Sequence, residues 1–257
     1  MIHSTAIIDP AAEIASDVKI GPYCVIGANV KIGAGSVLKS HVVIEGYTSI
    51  GVENTFFPFA AIGHLTQDMK YAGEPTALEI GDRNTFRENT TIHRGTTEEI
   101  PTRIGDDNLF LSYSHVGHEC HVRNNCILSN NATLGGHCEV FDYAIISGLS
   151  AVHQFSRIGE HCMIGGCSRI PQDVPPFTIV EGNPASVRGI NLIGLQRRGF
   201  SDETRKALKT AYKKLFLKKK GNLTLILDEF AEHEVASDAS VAKLIEFIRS
   251  SERGIIR

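Results

Sequence analysis

Three histidines spaced by three, His115, His118 and His121, stand with Glu119 and Cys120 in the densest cluster of titratable side chains in this 257-residue sequence. Two chemistries are open to such a group, metal ligation and general acid–base catalysis. On an extended backbone, neighbours three apart point to opposite faces, so the imidazoles do not converge on one ion as they would on a helix. The base reading rests on what lies eighteen residues on, where Gly135 and Gly136 precede His137. A histidine facing a backbone without a side chain has room for a substrate and an N–H donor opposite it, the layout that acyl transfer needs. The competing reading is that His118 and His137 merely hydrogen-bond within a wall.

The number eighteen comes from the elements that must position these residues. An apolar residue falls on every sixth position from Ile2 through Ile8, Ile14, Ile20 and so on to Ile62. The series resumes at Ile80, Phe86 and Ile92, and runs from Ile104 through Val116, Leu134 and Val152 to Ile170. All 26 positions are apolar against a chain average of 42%, so the period is real. Six is too long for one helical turn and is not a heptad. Short strands joined by turns fit it, three hexads closing one triangular coil in which residues eighteen apart stack. The expected fold class is therefore an all-β solenoid of roughly nine coils, about 40 Å tall. The position after the apolar residue is often glycine (Gly21, Gly27, Gly33, Gly51, Gly63, Gly81, Gly105, Gly117, Gly135, Gly159, Gly165), which predicts a corner at positive φ. Pro171 is expected to end the ladder, with Pro175-Pro176 closing it.

Two stretches break the period, at residues 63–79 and 95–103, and read as loops thrown out of the wall, where function tends to collect. Beyond the ladder, Ser201-Asp202-Glu203 reads as a capped helix start, with the stripe Ala207, Leu208, Ala211, Tyr212, Leu215, Phe216 and a stop at Gly221. Val241, Leu244, Ile245 and Ile248 mark a further helix. The predicted organisation is a coil over residues 1–189 and a C-terminal helical domain over 190–257. Net charge is −3, but residues 197–220 alone carry +8 and leave −11 elsewhere. That segment is the basic face of an acidic protein. The six cysteines contain no C-x-x-C pair, and five share one phase of the hexad. They read as small packing residues, kept reduced in a cytoplasmic location. Nothing in the composition calls for nucleic acid, and no apolar run has the length to insert in a membrane.

The ladder, Asp68-Met69-Lys70-Tyr71-Ala72-Gly73-Glu74-Pro75, Thr91-Ile92-His93-Arg94-Gly95-Thr96, Ala151-Val152-His153-Gln154-Phe155, Gln172-Asp173-Val174-Pro175-Pro176 and Arg197-Arg198-Gly199-Phe200 together resemble the UDP-N-acetylglucosamine 3-O-acyltransferases of lipid A biosynthesis. The likeness covers essentially the whole chain. It implies a left-handed parallel β-helix of hexapeptide repeats, assembled as a homotrimer with active sites between subunits. It implies transfer of an (R)-3-hydroxyacyl chain from acyl carrier protein to the 3-position of the UDP-sugar or its 3-amino analogue. By the same resemblance His118 is the general base and Gly136 the oxyanion donor. Gln67, Asp68 and Lys70 hold sugar and acyl groups, and His115, His137, His153 and Gln154 line the cleft. Gly166 lies along the acyl channel, and Asn191, Arg197 and Arg198 hold the nucleotide. No cofactor and no metal is implied.

The sequence departs from the family pattern at four places. Glu119 stands where Asp usually follows the base, Ile193 where a Glu contacts the nucleotide, Pro184 where a His is familiar, and Arg169 in the ruler region either shortens the acyl pocket or sits on the outside. Two other readings compete. The N-acyltransferase of the same pathway normally carries an N-terminal uridine-binding domain, whereas this chain enters its coil at residue 2. A non-catalytic β-helical scaffold would have little need for imidazoles beside Gly136.

Overall fold

The computed structural model describes residues 1–217 and 223–257. From Ile2 to Ile190 the chain winds into a left-handed parallel β-helix with three walls of nine, eight and ten strands. Most strands are two residues long, and each ends on a ladder residue that points inward. In the first wall Ile92, Val116, Leu134, Val152 and Ile170 stack in register. In the second, Ile104, Val122, Val140 and Ile158 do so. The third carries Phe56, Phe86 and Phe110, whose fully buried rings stack 4.8 and 4.9 Å apart. Each rung side chain removed from water contributes on the order of 1.5–3 kcal/mol, most of which chain entropy offsets.

The corners differ from the sequence expectation. Of the predicted glycines only Gly63, at φ 74°, is in the left-handed region, and Gly21, Gly33, Gly51, Gly81, Gly105, Gly117 and the rest are not. That conformation falls on the third residue after the ladder position, at Tyr23, His41, Phe59, Glu119, His137, Phe155 and others. Glycine is needed at the earlier position because stacked corners meet backbone to backbone. A Cβ at Gly33 would lie 2.5 Å from the Gly51 carbonyl oxygen, and one at Gly81 would lie 2.8 Å from that of Gly105. The interior also holds a polar file. Asn54, Asn84 and Asn108 are buried, and each side-chain oxygen accepts the backbone N–H of the residue one coil on, at 2.7–2.9 Å.

The two loops are shorter than their sequence limits, because strands Ala61–His64, Ala77–Ile80 and Thr102–Ile104 run into them. They occupy residues 65–76 and 94–101. Ile50 therefore pairs with Ile80, and Ile80 with Ile104, at intervals longer than eighteen.

Nor does the coil stop at Pro171. Val174 bridges to Ile158, and strand Thr178–Gly182 adds in parallel to Met163–Ile164 before turning back as the antiparallel strand Ala185–Ile190. The prolines fall between paired residues, where no ladder N–H is required.

Among the described residues four α-helices follow: α1 (Leu192–Arg197), α2 (Asp202–Tyr212), α3 (Leu223–Ala231) and α4 (Ala239–Arg249). Ser201 caps α2 by accepting the Thr204 N–H, and Asp238 caps α4. Helix α1 is a single capped turn and a half, too short for a periodic signal, whereas α3 carries Leu223, Ile226, Leu227 and Phe230 at helical spacing and is an addition to the two helices expected from sequence. The helix stop at Gly221, and Lys218 to Lys220 of the basic segment, lie outside the described residues. The apolar faces of α2, α3 and α4 close over Phe177 and Ile190. The C-terminal tail returns to the coil, where the Ile256 N–H donates to the Asp173 carbonyl at 2.9 Å. Among the described residues no helix is long and apolar enough to cross a membrane.

Candidate active site

His118 lies on the corner between the first and second walls, flanked by strands His115–Val116 and His121–Val122. The three histidines spaced by three thus occupy a wall, a corner and the next wall, and they diverge for that reason. One coil above His118 is Gly136. A Cβ there would come within 2.9 Å of His118 Nδ1 and closer still to Cε1 and Nε2, so only glycine leaves the ring its place. The Gly136 N–H has no hydrogen-bond partner among the described residues.

Glu119 takes the left-handed corner position at φ 51°, and its side chain is 1% exposed. Burying a carboxylate demands partners, and this one has a full set. Oε1 accepts the backbone N–H groups of Thr96 and Thr97, from the second loop. Oε2 is hydrogen-bonded to His118 Nδ1 and lies 3.5 Å from His137 Nε2. The carboxylate fixes the proton on Nδ1 and leaves the Nε2 lone pair facing the cleft. There Asp68 Oδ2, from the first loop, is 3.9 Å away. The longer arm of Glu119 thus does more than orient the imidazole, since it also ties the dyad to the second loop.

The cleft is about 660 Å³ and is lined by Gln67, Asp68, Lys70, His115, His118, Gly136 and Gln154, among others. Of the imidazoles in and beside it, burial pushes His93 down to about 4 and lowers His115 and His137. His115 Nδ1 lies 2.7 Å from the Thr91 hydroxyl, and His137 stacks on Phe155 at 4.5 Å.

The two loops brace one another. The Thr96 hydroxyl donates to that of Thr66, and Arg94 reaches both the Gly63 carbonyl and the Tyr71 hydroxyl. His93, Arg94 and Thr96 lie within the motif that carried the resemblance, but spacing alone gave them no role. Their positions depend on how a loop folds back across its coil.

Other sequence-designated residues lie elsewhere. His153 faces the far side of the corner, its Nδ1 2.9 Å from the Gln154 carbonyl and 3.2 Å from Arg253 of the C-terminal tail. No sequence signal links positions 100 apart, so that contact was invisible beforehand. Gly166 packs toward the Gly148 carbonyl on the corner between the third and first walls. Asn191 caps α1 and donates to the His161 carbonyl, and the Arg198 guanidinium sits 4.5 Å over the Tyr143 ring. Arg197 ends α1. Tyr143 and His161 mark the corner between the second and third walls, so these residues do not converge on His118 within one chain. Arg169 continues the outward row His115, Thr133, Ala151 on the first wall. Its side chain is therefore on the outside, one face away from the core.

Residues 1–34, 11–46 and 101–136 match the bacterial transferase hexapeptide model, and residues 173–256 match the second domain of the UDP-N-acetylglucosamine O-acyltransferases. With the coil and its carboxylate-oriented histidine, they define a hexapeptide-repeat acyltransferase. Solved structures narrow this further. The chain is 46% identical to LpxA from Acinetobacter baumannii, covering 100% of this chain and 99% of that one, with a TM-score of 0.95. It is 40% identical to the UDP-N-acetylglucosamine acyltransferase of Francisella novicida (100% and 94% covered, TM-score 0.95). It is also 40% identical to LpxA of Bacteroides fragilis (100% of both, TM-score 0.96). The chain belongs to the UDP-N-acetylglucosamine O-acyltransferase family.

Proposed function

We propose that the protein transfers an (R)-3-hydroxyacyl group from acyl carrier protein to the 3-position of UDP-N-acetylglucosamine, the opening step of lipid A assembly, in the cytoplasm. The observation that carries the reading is the His118 ring, oriented by Glu119 and seated against the side-chain-free Gly136. His118 Nε2 takes the proton of the acceptor as its oxygen (or, in the 3-amino analogue, its nitrogen) attacks the thioester carbonyl carbon. The tetrahedral oxyanion receives the Gly136 N–H. The C–S bond then breaks, and the departing thiolate takes the proton back from His118. A positioned base is worth about 10²–10⁴-fold, and an oxyanion donor about 10²–10³-fold.

Residues 1–189 serve as the catalytic coil and 190–257 as its helical cap. Asn191, Arg197, Arg198 and Gly166 complete the site only when a second copy supplies them, as in a homotrimer. One corner exposes Tyr23, Phe59, Tyr113 and Leu149 alternating with His41, Asn89 and Asn131, a mixed aromatic and polar seam for that assembly. The deciding experiment is turnover of acyl carrier thioester with UDP-N-acetylglucosamine by His118→Ala. A loss of at least about 10²-fold supports the role, and a near wild-type rate removes it. A panel of acyl lengths against 3-hydroxyl and 3-amino acceptors identifies the natural pair.

A further inference from the structure

We propose that His118 Nδ1, Glu119 Oε2 and His137 Nε2 form an inhibitory site for a divalent transition-metal ion of the zinc class. One ligand atom from each of these residues lies within 4.8 Å of those of the other two. The Glu119–His137 separation of 3.5 Å is near the spacing of two ligands on a four-coordinate zinc, about 3.3 Å for bonds of about 2.0 Å. Each ligand is already oriented by something else. Glu119 is gripped through its other oxygen by Thr96 and Thr97, His137 is stacked on Phe155, and the His118 ring rests against Gly136. Such outer contacts commonly set metal affinity.

Two imidazole nitrogens and one carboxylate oxygen favour Zn²⁺, Co²⁺ or Ni²⁺ over Mg²⁺ and Ca²⁺, which prefer oxygen ligands and higher coordination numbers. The ion would take the place of the proton that His118 shares with Glu119. It is a competitor for the base, and no step of acyl transfer passes through it. Glutamate is essential to the site. Aspartate is one methylene shorter, so a carboxylate kept on His118 would be drawn back from His137.

The inhibition rests on the assignment of His118 as base, whereas the metal site does not, and the test separates them. Co²⁺ is titrated into the full-length protein carrying Cys167→Ser, which removes the exposed thiol, and ligand-field absorption is read, followed by displacement with Zn²⁺. A saturable four-coordinate spectrum is expected. Glu119→Gln, Glu119→Asp and His137→Gln should each weaken binding at least about tenfold, with circular dichroism unchanged, while His153→Gln retains it. Absence of a saturable spectrum, or its persistence in both Glu119→Gln and His137→Gln, overturns the site. Acyl transfer measured with Zn²⁺ and again with a chelator should show reversible inhibition that follows occupancy. Occupancy without inhibition leaves the metal site standing and removes His118 as the base.

Discussion

Replacing Gly136 with alanine adds one methyl group at the most sensitive point of the proposed chemistry. The new Cβ would stand 2.9 Å from His118 Nδ1 and nearer to Cε1 and Nε2, whereas nonbonded atoms settle at about 3.5–4.0 Å. The ring must move by roughly 1 Å. Glu119 is anchored by two backbone N–H groups and does not follow, so the imidazole loses either its carboxylate or its aim into the cleft. A displacement of about 1 Å at a reacting centre costs on the order of 10²-fold, equivalent to about 2.7 kcal/mol of barrier. The fold should tolerate the change, because the three atoms nearest the methyl all belong to the His118 ring and the backbone is not left-handed there. Gly135→Ala is the control. Its Cβ would meet the Gln154 N–H nitrogen at 2.9 Å and the Val152 carbonyl oxygen at 3.2 Å, which is backbone that cannot turn aside. Steady-state kinetics and thermal melts should therefore separate the pair. Gly136→Ala loses kcat with Tm nearly unchanged, and Gly135→Ala loses Tm. Turnover by Gly136→Ala within about threefold of wild type, a barrier change under about 1 kcal/mol, would refute the reasoning.

Three further outcomes are expected. Phe86→Ala removes the middle ring of the buried Phe56–Phe86–Phe110 stack, and chemical denaturation should report a loss of about 3–5 kcal/mol. We propose that the basic segment docks an acidic acyl carrier protein, so that Lys213→Glu with Lys214→Glu should raise the KM for the carrier, more at low salt than at high; an unchanged KM removes that role. The His161 ring lies against Tyr143 with its Nδ1 unpartnered, and burial, with Arg198 adding to it, pushes its pKa down to about 4. The unfolded chain takes up this proton near pH 6.5 and the folded one does not. Stability from this group is thus complete above pH 6.5 and lost progressively as pH falls to about 4. The effect is on the order of 1–2 kcal/mol after solvent screening, and His161→Phe should flatten that part of the Tm–pH curve.

The coil was legible because its signal is redundant. Each ladder residue repeats the same statement about inside and outside, and pairs such as Val116–Leu134 and Leu134–Val152 follow from period alone. His118 against Gly136 was legible for the same reason, being one coil apart. The corner glycines were placed correctly but for the wrong cause, since sequence shows a small residue without showing which backbone approaches it. The asparagine file was hidden because Asn54, Asn84 and Asn108 look like ordinary polar residues until their partners one coil away are known. The hold of Glu119 on Thr96 and Thr97, and of Arg253 on His153, involve a loop and a tail whose paths no period encodes. Helix α3 was legible in principle, because Leu223, Ile226, Leu227 and Phe230 stand at helical spacing and all face the second core.

The end of the coil has a consequence for how copies of this chain meet. The last parallel strand, Thr178–Gly182, is plugged by the antiparallel strand Ala185–Ile190 and by the tail bridge at Asp173. Open strand edges template growth, so this plug denies a second copy the strand edge it would need to extend the rod from its helical end.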